Sequence, residues 1–246
     1  MSTKPHIYSA TELLFRQCAA RIIELAADTL QHQSHFHIAL AGGSTPRGLY
    51  QQLSELHSES FPHWDRVRFY FGDERQVPPD HQESNYRMAR ESLFVPLQID
   101  DSAVHRIQAE LPPEEAVSHY SEVLQQLPQE NGTARFDLVL LGMGADGHVA
   151  SLFPGTPLLQ EQQEAVAAGW IDKLDCWRYS LTLPVLNNAR HIILLVSGAK
   201  KADVVRHIFH GPDTAAPLPV QLLDHERVEW YLDAAAARFL DEKCEA

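Results

Sequence analysis

Short apolar segments, each followed by a glycine-containing or charged loop and then by a helical pattern, recur along the chain and constrain its fold more than any other feature. They occupy residues 36–40, 67–71, 136–141 and 191–196. Further candidate strands occupy residues 104–107, 179–183 and 228–232. This alternation predicts a Rossmann-like α/β fold with a mostly parallel sheet and helices on both faces. Because 246 residues can bury a full core, we expect one domain over residues 1–246.

Polar residues and prolines mark where the predicted helices begin. Ser9 followed by Glu12 is typical of a capping box, which predicts a first helix up to about residue 30. Pro46 is expected at the first position of the helix after residues 36–40, and Ser84 is expected to cap a helix through residue 93. The loops before these helices follow strands, where ligands bind in sheets of this kind.

Charge and cysteine content exclude several classes of partner. The formal net charge is -13, and no cluster of Lys and Arg is present, so we expect neither nucleic acid nor an anionic membrane as a partner. Cys18, Cys176 and Cys244 form no CxxC pattern, which favours a reducing compartment. No apolar run approaches the ~18 residues of a membrane span. We therefore expect a cytoplasmic protein, monomeric or homodimeric, with a small-molecule partner.

The first loop, residues 41–46, lies at a predicted strand-to-helix junction. Free backbone N–H groups and the helix dipole favour an anion there, and Gly43 lets the backbone approach it closely. Ser44 and Thr45 add hydroxyl donors, although the same residues are also suited to capping the helix. No Walker lysine pattern is present, so a nucleoside triphosphate is not indicated.

The second loop, residues 72–75, places three charges directly after a predicted strand. These are Asp73, Glu74 and Arg75. A solvated turn accounts for them as well as a site does, so the spacing alone leaves both interpretations open.

The third loop lies in FDLVLLGMGADGHVASLFP, residues 136–154. Its three glycines match GxGxxG, but we find no second strand ended by an acidic residue about 20 residues later, which argues against a dinucleotide site. The loop also carries Asp146 and His148, which a pyrophosphate site does not need. We expect His148 at the start of a helix, where the dipole disfavours its charged form and leaves it able to accept a proton from water.

The remaining candidate cations follow or precede predicted strands. Arg178 precedes residues 179–183, and Lys200 and Lys201 follow residues 191–196; each taken alone fits a surface charge equally well. The chain contains 14 histidines without a zinc-binding spacing. We therefore expect no metal, and neither a nicotinamide nor a flavin cofactor.

Taken together, the loops resemble those of the 6-phosphogluconolactonase family over nearly the whole chain. The resemblance rests on residues 42–46, 73–75, 84–86 and 142–154, and on Arg178 and Lys201. It implies a Rossmann-like fold shared with glucosamine-6-phosphate deaminases. The family commonly has Thr where this chain has Val149.

The resemblance also implies roles for the candidate residues. Gly43, Ser44, Thr45, Arg178 and Lys201 would hold the substrate phosphate, and Arg75 would either contact it or order its loop. Asp73, Asp146 and His148 would surround the reacting carbon. The activity implied is hydrolysis of 6-phospho-D-glucono-1,5-lactone in the oxidative pentose phosphate pathway.

Two alternatives stay open from the sequence. Glucosamine-6-phosphate deaminases resemble this chain but carry a glutamate five residues after the histidine, where this chain has Phe153. A phenyl ring cannot transfer a proton, so ring-opening isomerisation lacks its acid. A sugar-phosphate sensor without turnover is the second alternative; sensors of this kind carry an attached DNA-binding domain, which we do not expect in an acidic chain of 246 residues.

Overall fold

The structure is a computed structural model that describes residues 4–56, 61, 63–211 and 216–240. Its strands are β1 (His6–Tyr8), β2 (Phe36–Leu40), β3 (Val67–Phe71), β4 (Asp73–Arg75), β5 (Gln129–Glu130), β6 (Thr133–Ala134), β7 (Leu138–Gly142), β8 (Val166–Ile171), β9 (Cys176–Leu181), β10 (His191–Val196) and β11 (Val228–Asp233). Its α-helices are α1 (Thr11–Leu30), α2 (Ser44–Glu55), α3 (Asn85–Ala89), α4 (Pro113–Leu124), α5 (Leu183–Asn188) and α6 (Ala202–His210).

A six-stranded parallel sheet forms the centre of the molecule, in the order β1-β11-β10-β7-β2-β3. Its inner strands are apolar almost throughout; residues 192–196 of β10, for example, are all buried. Such runs are typical of parallel strands covered on both faces, because no position alternates toward water. The predicted α/β class is confirmed. The prediction of a single domain over residues 1–246 stays a prediction.

The strand order reverses between β2 and β7. From β2 the chain proceeds to β3 on one side, whereas from β7 it proceeds to β10 and β11 on the other. The two strands pair only through Ile38 with Leu138 and Ala39 with Val139. A crevice opens at such a switch point, beyond the carboxyl ends of the strands.

Two buried tyrosines fix the backbone at this edge of the sheet. Tyr50 of α2 donates its hydroxyl to the carbonyl of Ala41 (2.8 Å) and accepts the N–H of Ala41 (2.9 Å). Tyr120 of α4 does the same for Phe71, at 3.0 and 2.8 Å. Each hydroxyl therefore pairs both the N–H and the carbonyl of one backbone residue, Ala41 or Phe71, at the point where the chain passes out of β2 or β3.

A smaller antiparallel sheet, in the order β4-β9-β8, stands beside the first. Asp73, Glu74 and Arg75 pair with Ser180, Tyr179 and Arg178, and β8 and β9 form a hairpin. The candidate strand at residues 179–183 is therefore correct only in part, since β9 begins at Cys176. The candidate strand at 104–107 is reduced to one bridge between Phe69 and Val104.

Helix starts were predicted with mixed success. The expected capping box at Ser9 is wrong: α1 begins at Thr11 after Ala10, without a side-chain cap. Pro46 is the third residue of α2, because the helix begins at Ser44 directly after Gly43. Ser84 does cap α3, accepting the N–H of Arg87 at 3.2 Å, and a π-helical turn over residues 90–94 continues it.

The helix expected to begin at His148 does not form. After β7 the chain makes turns and a bridge between Val149 and Leu152, and the next helical residues are a short 3₁₀ segment, Pro157–Gln160. The positive φ of Gly147 (76°) and Ala150 (48°) bends the backbone away from the right-handed helical region. Dipole depression of a helix-start histidine therefore does not apply.

The described helices include none that is both long and apolar enough to cross a bilayer. Cys18 is buried, and burial raises the pKa of its thiol; Cys176 is half-buried. Cys244 lies outside the described residues.

Candidate active site

One cleft lies at the switch point, with a volume of about 230 Å³. Its wall is built by the loops that follow β2, β3, β7 and β10. The polar residues and glycines that line it are Gly42, Gly43, Ser44, Thr45, Gly72, Asp73, Arg75, Gly142, Gly144, His148, Ser197 and Lys201. Seven of the nine residues predicted for the site line the cleft, and an eighth, Asp146, is hydrogen-bonded to one of them, His148. The ninth, Arg178, lies on the adjoining strand.

Gly43 and the first turn of α2 form one wall of the cleft. Gly43 has φ 103°, which a residue with a Cβ rarely adopts, and its carbonyl accepts the first helical bond from Arg47. Ser44 and Thr45 follow at the positively polarised start of the helix, as expected for an anion site. Thr45 Oγ1 lies 2.8 Å from Ser197 Oγ, so a hydroxyl from the β10 loop joins the group. Sequence reasoning missed Ser197.

Asp73 is held rigidly in the cleft wall by neutral donors. It is 7% exposed; its Oδ2 accepts the hydroxyl of Ser151 at 2.7 Å, and its Oδ1 accepts the amide of Asn85 at 3.1 Å. Asn85 occupies the space that a Cβ on Gly42 would need, at 2.0 Å. The second loop is therefore a built part of the site and not a solvated turn.

Glu74 points away from the cleft and orders the loop. Its carboxylate accepts the N–H groups of Arg75, Asn85 and Tyr86 at 2.8–2.9 Å and the hydroxyl of Ser84 at 3.1 Å. Burial raises its pKa, and the backbone donors oppose that effect. The motif at residues 84–86 thus caps α3 and also joins that helix to β4 through the Glu74 carboxylate.

Arg75 and Arg178 stand directly opposite each other in the antiparallel pair of β4 and β9. Opposite residues project to the same side of a sheet, and like charges placed so repel each other unless an anion lies between them. Within the described part of the chain, neither guanidinium has an ion-pair partner. Arg75 donates from Nη1 to the carbonyl of Glu83 at 2.8 Å, while its Nε has no protein partner there. The arrangement suits a phosphate.

His148 is oriented by Asp146 in the same loop. The Nδ1 atom lies 2.5 Å from Asp146 Oδ1, and Lys173 donates to Oδ2 of the same carboxylate. Burial alone would raise the pKa of Asp146, but the hydrogen bonds from Lys173 and His148 hold it well below its usual range. The ionised carboxylate is an acceptor for Nδ1–H, and in that tautomer Nε2 of the neutral imidazole is the nitrogen able to accept a proton.

Gly144 makes room for this pair. A Cβ at residue 144 would lie 2.0 Å from His148 Nδ1 and 2.5 Å from Asp146 Oδ1, distances that no packed structure tolerates. Gly147 has φ 76°, and a Cβ there would also meet Leu218 at 2.8 Å. The glycines of GMGADG thus accommodate a histidine and an aspartate.

Lys201 closes the end of the cleft nearest the β10 loop. It is the last residue of a 3₁₀ turn, Ala199–Lys201, that leads into α6. Burial lowers its pKa, and the charge of Asp146 raises it. The turn is tied down by Asp233, buried at the end of β11, which accepts the N–H of Gly198 at 3.0 Å. Nothing in the sequence around Asp233 pointed to this role.

The structure also clarifies the argument against a dinucleotide. A strand does follow the glycine loop, contrary to expectation: β8 ends at Ile171, before Asp172. It belongs to the small antiparallel sheet, however, and not to a parallel unit beside β7. In the residues that the structure describes, no group of three His, Cys, Asp or Glu is placed to hold a metal.

The cleft at the switch point of the parallel sheet combines an imidazole–carboxylate pair with two cations, Arg75 and Lys201, that have no ion-pair partner among the described residues. This combination is typical of an α/β enzyme that acts on an anionic substrate. A sequence model of the family "Glucosamine-6-phosphate isomerases/6-phosphogluconolactonase" matches residues 9–231. The chain belongs to this family.

Two similar proteins and one solved structure bear the name 6-phosphogluconolactonase. The 6-phosphogluconolactonase of Rattus norvegicus is 38% identical over 237 residues, covering 95% of this chain and 92% of the relative; that of Treponema pallidum is 35% identical, covering 87% and 88%. The solved 6-phosphogluconolactonase of Trypanosoma brucei is 32% identical with a TM-score of 0.85, covering 97% and 100%. A monomeric glucosamine-6-phosphate deaminase is 22% identical with a TM-score of 0.78, covering 96% and 99%, a likeness of fold alone.

Proposed function

We propose that this chain hydrolyses 6-phospho-D-glucono-1,5-lactone to 6-phosphogluconate. The observation that carries the proposal is the composition of one cleft: the oriented base His148 lines the same cavity as Ser44, Thr45, Arg75 and Lys201. Three of the proteins named above are 6-phosphogluconolactonases, at 32–38% identity to this chain. A phosphorylated lactone has an ester carbon that water can attack after losing its proton to the base, and a phosphate dianion that the cations can bind.

The reaction uses His148 as base and then as acid. Nε2 takes a proton from water while the water oxygen attacks C1 of the lactone, giving a tetrahedral intermediate. The C1–O5 bond then breaks, and the imidazolium returns its proton to the departing ring oxygen. The products are a carboxylic acid, which ionises in water, and a ring-opened alcohol, so no cofactor enters the balance.

Asp146 keeps the imidazole in the productive tautomer. An ionised carboxylate at Nδ1 both fixes the ring and stabilises the imidazolium that forms during attack. Asp73 acts differently, because its oxygens are already hydrogen-bonded by Ser151 and Asn85 and therefore present a fixed acceptor for a sugar hydroxyl. It is a positioning carboxylate for the substrate and not a second base.

The substrate phosphate binds the donors and cations that share the cleft wall with His148. The N-terminus of α2 and the hydroxyls of Ser44 and Thr45 supply neutral donors, and Lys201 and Arg75 supply charge. Arg178 lies beside Arg75 and completes the cationic pair on the small sheet. The net charge of -13 repels anions over the rest of the surface, so these few groups must provide the affinity.

Deamination of glucosamine 6-phosphate is disfavoured by Phe153. This ring is 5% exposed and its centroid lies 4.2 Å from that of His148, so the place beside the base is filled by a group that cannot carry a proton. We expect no ammonia release from glucosamine 6-phosphate under conditions where the lactone is opened.

We also propose a cytoplasmic location and a small-molecule substrate without a nucleic-acid or membrane partner. The acidic charge and the absence of a CxxC pattern support this. Light scattering distinguishes a monomer from a homodimer.

The test is direct observation of ring opening. 6-Phosphogluconolactone is generated freshly, and its conversion is followed by NMR with and without the protein, because the spontaneous reaction is appreciable. Acceleration in proportion to protein concentration is expected. A rate equal to the spontaneous one would leave a binding role, the sensor alternative, as the better account.

A further inference from the structure

Lys173, which lies outside the cleft wall, contacts Asp146, the hydrogen-bond partner of His148. Lys173 lies in the turn between β8 and β9, within the 3₁₀ segment Asp172–Leu174 that ends at Asp175 in the left-handed conformation (φ 50°). Its ammonium donates to Asp146 Oδ2. The same Nζ atom lies 4.3 Å above the centroid of the Phe153 ring, which in turn contacts the His148 ring.

These contacts surround His148 on two sides. Asp146 fixes Nδ1, and Phe153 packs against the ring at 4.2 Å between centroids. Lys173 contacts both of these supporting groups, and it does not line the cleft. It is therefore placed to act on the base through Asp146 and Phe153.

We infer that Lys173 is a positioning residue for the reaction: it fixes Asp146 and Phe153 around His148 and sets the pH range in which His148 acts as a base. The inference rests on the proposed function. It also couples the two sheets, since Lys173 belongs to the small sheet and His148 to a loop of the central one. The Lys173 side chain is 52% exposed, so the pair contributes little to stability and its effect is local.

The charge of Lys173 has a definite sign of effect. The charged groups around His148 are Asp146, which contacts its ring, Asp73 and Arg75 of β4 and Lys201 before α6, which line the same cleft, and Lys173 behind Asp146. Lys173 offsets part of the negative charge of Asp146. Without it, that carboxylate stabilises the imidazolium more strongly, so a higher pH is needed before His148 loses its proton and can act.

The experiment compares pH profiles of kcat/KM for the wild type and Lys173→Met, which keeps the length and apolar stem of the side chain. We expect the acidic limb to move upward by about 0.5 to 1 pH unit, as for a charge near a titrating group. At the plateau, we expect a loss of about 3- to 10-fold from the less well-fixed ring. Most of that loss should be in kcat and not in KM.

Two variants distinguish the loss of this cation from a general effect of substitution or of net charge. Lys173→Arg keeps the cation and should retain the wild-type limb. Lys4→Met removes an equal charge from an exposed residue before β1, at the opposite edge of the parallel sheet, and should change nothing. Circular dichroism confirms that each variant is folded.

A second readout does not depend on turnover. The imidazole signals of His148 are identified among the 14 histidines by their loss in His148→Gln, and their titration is followed by NMR. The midpoint should move upward in Lys173→Met, whether or not the wild type opens the lactone. Superimposable titrations and pH profiles would overturn the inference, and a change confined to KM would make Lys173 a substrate contact. Failure of the proposed function alone would leave the NMR shift in place.

Discussion

The two sheets of this molecule contribute to the cleft in different ways. The central parallel sheet ends in loops rich in glycine; these loops and the helical turns that follow them carry His148, Asp146, Ser44, Thr45 and Lys201. The small antiparallel sheet contributes charged residues from within its strands, Asp73, Arg75 and Arg178. Loops at parallel strand ends can expose backbone donors and a reactive side chain, whereas a strand pair holds side chains at fixed spacing.

The difference indicates a division of labour. In the function that we propose, His148 in the loop after β7 transfers the proton, while the arginines of β4 and β9 join the start of α2 and Lys201 in binding the phosphate. Lys173, at the tip of the β8–β9 hairpin, connects the two functions through Asp146. Variants of His148 should therefore lose mainly kcat, whereas variants of Arg75 or Arg178 should show mainly a raised KM.

The largest effect is expected from loss of the base. His148→Ala should reduce kcat/KM by about 100- to 10,000-fold, the range that general-base catalysis typically supplies. His148→Gln keeps volume and polarity but cannot accept the proton, so it should be no better. The check is steady-state kinetics corrected for spontaneous opening, and near-wild-type turnover in either variant would remove His148 from the mechanism.

Displacing the His148 ring without removing it should reduce the rate almost as much as removing it. Gly144→Ala introduces a Cβ where His148 Nδ1 lies, at 2.0 Å, and forces the ring from its position. A misplacement of about 1 Å is worth on the order of 100-fold in rate. Gly142→Ala is the matched control, because its Cβ approaches nothing nearer than 4.0 Å; it should leave the His148 NMR signals unchanged. Equal signals in both variants would contradict the role given to Gly144.

Loss of one arginine of the small sheet should be milder and selective. Arg75→Ala and Arg178→Ala each remove a charge-assisted contact worth about 1.5 to 3 kcal/mol, so kcat/KM for the phosphorylated lactone should fall by ~10- to 100-fold. Turnover of unphosphorylated gluconolactone should be poor in the wild type and unaffected by either substitution. An equal loss on both lactones would mean that the arginines serve the chemistry and not the phosphate.

A smaller effect concerns stability against pH. The pKa of Asp146 is lower in the folded protein than in the unfolded chain, where it is near 3.8, so its ionised form stabilises the fold above that value. This contribution is lost as the pH falls through the folded pKa. The urea midpoint of Asp146→Asn should therefore lie below that of the wild type near neutral pH and approach it below about pH 3.8. A gap that widens in acid would reverse the sign we assign.

The smallest expected effect is that of chelation. Because the proton balance closes on His148 alone, incubation with EDTA should leave kcat/KM unchanged. Loss of turnover that added zinc restores would show that a metal, and not the imidazole, activates the water. Tight binding of NAD(H) by calorimetry would likewise reopen the nucleotide interpretation of the glycine loop.

The two sheets also differ in how far they could be predicted. Long apolar strands such as β10 and the glycine loops after them are local patterns, so the central sheet and Gly43, Ser44 and Lys201 could be located from the sequence. β4 has only three residues, all charged, and its partner β9 lies about a hundred residues away. Such pairing leaves no local period to detect.

The misplaced helix at His148 has a related cause. A histidine after GxGxxG fits a helix start by pattern, but a positive φ at Ala150 cannot be inferred from an alanine. Lys173, Ser197 and Asp233 were missed because each acts through a contact distant in the chain. Phe153, by contrast, was identified from the resemblance, and its contact with His148 is now observed.

The affinity for the product, compared between a variant in the loop after β7 and a variant in β4, tests this division of roles most directly. The Kd of 6-phosphogluconate is determined by calorimetry for the wild type, His148→Ala and Arg75→Ala. We predict that His148→Ala binds within about 3-fold of the wild type although its turnover is lost, and that Arg75→Ala binds at least ~10-fold more weakly, the equivalent of about 1.4 kcal/mol. Weak binding by His148→Ala together with unchanged binding by Arg75→Ala would contradict the assignment of the chemistry to His148 and of phosphate affinity to Arg75.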